Sequence, residues 1–205
     1  MFPFFLENTN MEVQALSDVD LLGVMVGPRR AVQLLRETRG SIAALLSDSL
    51  GSYHVEKPAN QRLLAARELI KRSLAEGFRN GEAMTSPQAV RDYLRISLMG
   101  RGHEVFMVLF LDAQHRLIEA EEMFRGTLTQ TSVYPREVVK RCLYFNAAAV
   151  LFAHNHPSGV AQPSQSDELL TRSLREALSL IEVKVLDHFV IGGNAVMSFA
   201  ERGLL

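Results

Sequence analysis

The stretch Ala147-Ala148-Ala149-Val150-Leu151-Phe152 is short and continuously apolar, and it constrains the fold more than any other part of the chain. A run with no polar alternation is the pattern of a central strand buried on both faces. It leads directly into Ala153-His154-Asn155-His156-Pro157-Ser158-Gly159. Side chains alternate along an extended chain, so His154 and His156 share one face and Asn155 takes the other. Pro157 and Gly159 then end the strand.

After a loop containing Pro163, the apolar positions Leu170, Leu174, Ala177, Leu178 and Ile181 recur at helical spacing. The spacing predicts a helix that starts near Ser164, with Ser164 as N-cap and Asp167 at the third helical position. A carboxylate there points back toward the preceding loop and so toward the two histidines. Ser-x-x-Asp is also an ordinary capping arrangement, and a His-x-His pair at a strand end is also an ordinary polar surface. A cap needs no histidine pair, however, and a surface pair needs no carboxylate delivered by a proline-containing loop. Two imidazoles, one carboxylate and an open position form the mixed nitrogen and oxygen set of a catalytic zinc, whereas structural zinc sites usually close with cysteines.

His154-x-His156-Pro157, with Ser164 after a seven-residue gap and Asp167 after two more residues, resembles the JAMM signature of JAB/MPN-type zinc metalloproteases. The surrounding chain resembles the bacterial RadC family, often labelled as DNA repair proteins. The likeness runs through His103-Glu104-Val105-Phe106, Phe124-Arg125-Gly126-Thr127-Leu128, Tyr134-Pro135-Arg136-Glu137, Leu186-Asp187-His188 and the tail Ser198 to Leu205. The resemblance implies an α/β domain of the JAB/MPN, cytidine-deaminase-like type, a mixed sheet flanked by helices. It implies Zn2+ on His154, His156 and Asp167, and hydrolysis of an amide-type bond in a protein or peptide-like substrate by zinc-activated water.

Family members take the water proton with a glutamate on an early strand, and Glu104 matches that position. Glu119, Glu121, Glu122 and Glu137 compete for the role, the first three in a charged stretch and the last in the first turn of a helix, where the dipole favours a carboxylate anyway. Ser164 matches the serine that donates to the oxyanion in JAMM-like sites. His188, in the strand-like run Val185 to Ile191, reads as a hydrogen-bonded core histidine, and His54, His103 and His115 take no role. A metallo-β-lactamase would continue the histidine pair with Asp-His where this chain has Pro157-Ser158, and an amidohydrolase barrel alone takes about 250 residues. A DNA-associated accessory protein and a zinc-bearing scaffold without turnover are the alternatives of other classes.

Charge speaks to the first alternative. Lys plus Arg number 22 against 23 Asp plus Glu, and neither the part before residue 87 nor the part after it is basic, so no footprint for phosphate shows. Arg136, Lys140 and Arg141 form a small cluster on one predicted helix, which begins at Pro135 and has Val138, Val139, Cys142 and Leu143 on its apolar side. Residues 1–80 read as a module of short helices, Leu16 to Met25, Ala31 to Leu35, Ile42 to Leu46 and Gln61 to Leu74, broken by Gly27-Pro28, Arg39-Gly40 and a polar stretch from Gly51 to Asn60. Relatives in the RadC family carry a helix-hairpin-helix there. This chain has one glycine, Gly51, in Leu50 to Pro58 where the pattern has two, which makes the module degenerate and counts against DNA binding. Gly77 to Gly81 with Thr85-Ser86-Pro87 reads as a linker, and the catalytic domain is expected over residues 87–205. The single Cys142 excludes an intrachain disulfide and suits a reducing cytoplasm, and Pro3 and Glu7 interrupt the apolar start, against a signal peptide or membrane span.

Overall fold

The apolar run from Ala149 forms the middle of a five-stranded sheet. The computed structural model describes residues 13–45, 58–81, 87–126 and 132–205. In chain order the strands are β1 (Val105–Leu111), β2 (Leu117–Arg125), β3 (Ala149–Asn155), β4 (Lys184–Gly192) and β5 (Ala195–Ser198), arranged β2-β1-β3-β4-β5 across the sheet. β3 pairs antiparallel with β1 and parallel with β4, while the outer pairs β1–β2 and β4–β5 are antiparallel. Every residue of β1 and β3 is buried, because both strands have strand neighbours at each edge and helices on each face. The mixed sheet flanked by helices is the architecture expected from the sequence.

The helices are α1 (Asp18–Val26), α2 (Pro28–Glu37), α3 (Ile42–Leu45), α4 (Pro58–Arg79), α5 (Pro87–Leu98), α6 (Pro135–Phe145) and α7 (Gln165–Ser179). Strand alternation divides the core in two. Val105, Met107, Leu109, Leu111, Leu151, Phe189 and Ile191 face α5 and the end of α4, where they meet Phe78, Tyr93, Leu94 and Leu98. Phe106, Val108, Phe110, Val150 and Phe152 face the other way, onto Val138 and Cys142 of α6 and Leu174 and Leu178 of α7. Full burial of a phenylalanine or leucine of this kind is worth about 1.5–3 kcal/mol, so each face has enough apolar surface to hold its helix pair. His154 continues the Phe152 face and therefore opens toward α7.

Three expectations need correction. Gly77, Phe78 and Arg79 belong to α4 and not to a linker: Phe78 is fully buried in the sheet core, edge-on to Tyr93 at 5.2 Å. Helix α4 thus joins two clusters, since Leu63 in its first half packs with Leu22, Ala31, Leu34 and Leu45. Residues 82–86, which include the rest of the expected linker, and Gly51 with the hairpin turn lie outside the described residues. The second correction is α5, a whole helix that the sequence reading left unassigned. Its buried positions Val90, Tyr93, Leu94, Ser97 and Leu98 have helical spacing behind Pro87 at the first position, but Arg91, Asp92 and Arg95 break up the apolar signal. Third, Leu143, placed on the apolar side of α6, is exposed, and only Val138 and Cys142 there are fully buried.

Candidate metal centre

The centre forms where β3 ends and α7 begins. His154 is the penultimate residue of β3 and is buried. His156, just past the strand, stays in line because its N–H donates to the Ile191 carbonyl at 2.8 Å, continuing the parallel pairing with β4. On the opposite side Ser164 caps α7: its hydroxyl accepts the Asp167 N–H, and the Asp167 carboxylate accepts the Ser164 N–H at 2.7 Å. This reciprocal box turns the carboxylate back toward the histidines. Ligating atoms of His154, His156 and Asp167 converge within 4.8 Å of one another.

The proton positions follow from the hydrogen bonds. The Thr171 hydroxyl donates to the Asp167 carbonyl at 2.6 Å, so it can only accept from His188 Nδ1, also 2.6 Å away. His188 is fully buried, and burial pushes it well below the ordinary imidazole range. It is neutral, with its one proton on Nδ1. Its bare Nε2 then accepts Nδ1–H of His154 at 2.8 Å, which leaves the His154 Nε2 lone pair facing the site. His156 Nδ1–H donates to the Val160 carbonyl at 2.9 Å, and its Nε2 is bare as well.

Two imidazole lone pairs therefore face each other at 3.0 Å, with Asp167 Oδ1 and Oδ2 at 3.4 and 3.5 Å. Three electron-rich groups so placed repel one another unless a cation lies among them. A tetrahedral ion with bonds of about 2.0–2.1 Å sets its ligand atoms roughly 3.3 Å apart, so the donor set fits a metal ion in spacing as well as in chemistry. Burial works against the Asp167 charge, but in the metal-free site the bond that a protonated His154 or His156 Nε2 gives the carboxylate outweighs it and holds the carboxyl far below its usual range. The same Asp167 bond, ahead of the other causes, raises His156 above its ordinary value of 6.5.

The sign of the pH dependence follows. A raised imidazole stabilises the metal-free fold below about pH 6.5 and loses that contribution as pH rises through the raised value. Metal entry has to displace the same proton. Zinc affinity is expected to climb with pH and to level off only above the ordinary imidazole value, as competition with a chelator across that range will measure. A plateau that begins below it would contradict the proton assignment.

The sequence-predicted glutamate also comes to this site. β1 pairs with β3 so that Phe106 lies across from His154, and extending the register by two positions sets Glu104 across from His156. Its charge contributes to raising His156. Glu104 immediately precedes β1, and Asn155 holds it: Asn155 Oδ1 accepts the Val105 N–H at 2.9 Å, and Nδ2 donates to the His103 carbonyl at 3.0 Å. The peptides on both sides of Glu104 are thereby tied to the ligand strand. Three of the four competing glutamates are engaged elsewhere. Glu121 pairs with Arg141, Glu122 with Arg101 and Glu137 with Lys140, pairings that also neutralise most of the basic cluster on α6. Ser164 Oγ donates to Asp167 Oδ2 at 2.7 Å, so its proton orients the ligand.

A family model for the RadC-like JAB domain matches residues 84–204, more than half of the chain and all of this centre. The chain belongs to the RadC-like JAB domain family. Relatives described as UPF0758 proteins match over nearly the whole length. One from Nitrosomonas eutropha is 55% identical over 201 residues, covering 93% of this chain and 90% of its own, and one from Dechloromonas aromatica is 52% identical with the same coverage. A further relative, from Nitrosomonas europaea, is 54% identical over 203 residues. Among the described residues no helix of this RadC-like chain is long and apolar enough to cross a membrane.

His188 is the functional residue whose role the sequence reading missed. Its burial was expected, but its bond to His154 depends on β3 and β4 being neighbours. A signal existed in Thr171, one helical turn after Asp167 and so on the same face. His188→Phe keeps the ring packing against Phe199, 4.7 Å away, while removing the acceptor for His154 Nδ1–H. Loss of such an orienting partner is expected to weaken metal binding roughly 10–100-fold. A zinc titration that matches the parent protein would show that His154 needs no such partner.

Proposed function

We propose that this protein is a zinc-dependent hydrolase of an amide-type bond in a protein or peptide-like substrate. One observation carries the reading: two imidazole lone pairs and a carboxylate converge on one point, with a glutamate that is not a ligand across the strand pair. Zinc held by His154, His156 and Asp167 would supply Lewis acidity to polarise a carbonyl and to acidify water. Glu104 takes the proton of the attacking water and returns it to the leaving nitrogen. Asn155 holds the backbone of Glu104 at the site, and the His188–Thr171 pair holds His154 in the tautomer that binds. Ser164 orients Asp167 in the resting site, and its assignment to the oxyanion requires the hydroxyl to turn away from the carboxylate.

On this reading the helices before α4 serve packing or docking of a partner, and the protein works in a reducing cytoplasm, where buried Cys142, its thiol pushed up to about 12 by burial, stays unreactive. The test is to present the zinc-loaded protein and its Glu104→Gln variant with libraries of peptide and isopeptide substrates. Products from the parent alone support the hydrolase. No cleavage by either, with a cellular function that survives the substitution, favours a zinc-bearing scaffold.

A further inference from the structure

His156 stands beyond the end of β3, where strand pairing alone does not orient a side chain. Its ring is held by the hydrogen bond from Nδ1 to the Val160 carbonyl, 2.9 Å away. That carbonyl belongs to a loop that doubles back. Gly159, at φ 81°, donates its N–H to the His156 carbonyl at 3.0 Å, and the next peptide, Val160–Ala161, comes down on the last residue of β4. That residue is Gly192. A Cβ there would stand 2.3 Å from Ala161 N, 2.4 Å from the Val160 carbonyl carbon and 2.8 Å from Ala161 Cα. All three are backbone atoms, so none can swing aside as a side chain could. Gly192 is not among the residues with positive φ, so what it supplies is space and not an unusual conformation.

We infer that Gly192 is a positioning residue for His156: its missing side chain lets the Val160 carbonyl reach Nδ1 and so fixes the tautomer whose Nε2 faces His154 and Asp167. The inference rests on reading the centre as a metal site. With a methyl group at 192, restoring ordinary contacts moves the Val160–Ala161 peptide by about 1 Å. Starting from 2.9 Å, the Nδ1 to oxygen separation then passes the hydrogen-bond limit of about 3.2 Å. The ring is left free to rotate or to shift its proton.

Gly192→Ala is expected to remain folded by circular dichroism and to bind zinc roughly 10–100-fold more weakly. In the metal-free variant at mildly alkaline pH, the ring nitrogen shifts of His156 will report a mixture of tautomers, where the parent holds its proton on Nδ1. Gly193→Ala is the control. Gly193 has φ 55°, and a Cβ there meets only the Gly159 carbonyl oxygen at 3.4 Å. The substitution therefore strains the same turn without displacing Val160–Ala161 and should bind zinc like the parent. Gly192→Ala with parental zinc affinity and a parental tautomer overturns the inference, and so does an equal loss of affinity in Gly193→Ala. If Gly192→Ala does not fold, the parent decides: His156 carrying its proton on Nε2, or exchanging it freely, refutes the assignment. A parent that binds no zinc removes the metal reading, while the tautomer comparison still judges Gly192.

Discussion

Glu104→Gln is expected to leave the metal centre loaded and to lower turnover by roughly 100-fold or more, the scale of a lost general base. Glutamine keeps the shape of the side chain, and the backbone of residue 104 stays tied by the two Asn155 hydrogen bonds and by the Gly126 N–H on its own carbonyl. None of the three convergent ligand atoms comes from residue 104, so zinc content should equal that of the parent. On the proposed mechanism, what disappears is the group that accepts and returns a proton. Elemental analysis beside single-turnover cleavage separates these effects. A variant that cleaves at the parental rate shows that another residue is the base; one that loses its zinc shows that Glu104 supports the centre itself.

Asp167→Ala should remove metal binding at any practical zinc concentration, because a neutral pair of imidazoles with no carboxylate is a much poorer site for a divalent cation. The same change dissolves the capping box of α7, at a cost of about 1 kcal/mol in stability. Ser164→Ala distinguishes the two roles. It loses the cap, but the Ser164 N–H still donates to Asp167 Oδ2 at 2.7 Å, so a comparable drop in thermal midpoint should come with most of the zinc retained. Equal zinc loss in both variants would make the box, and not the carboxylate as ligand, the decisive element.

Residue types and spacing were enough to pick out the three side chains, His154, His156 and Asp167, that the structure brings together. Alternation along β3 put His154 and His156 on one face, and the Ser164 cap put Asp167 in the first turn of α7, both consequences of local backbone geometry that hold whatever surrounds them. The buried run from Ala149 likewise declared a central strand. Boundaries were harder to read: Gly77 looked like a linker because a glycine with polar neighbours is a local breaker signal, yet Phe78 buries against Tyr93 and carries the helix through it. Helix α5 stayed hidden because its charged positions dilute an apolar stripe that exists only once it lies on the sheet.

What orients the ligands came from contacts between segments far apart in the chain. His188 reaches His154 because β4 pairs in parallel with β3, Asn155 reaches both sides of Glu104 because β1 pairs with β3, and Gly192 makes room for the loop that returns from His156. Sequence alone thus determined which atoms are able to hold a cation, since ligand chemistry and short-range periodicity are properties of the residues themselves. Only the tertiary structure decided which lone pairs face inward, since a proton's position on an imidazole is set by the partner that packing brings to its other nitrogen.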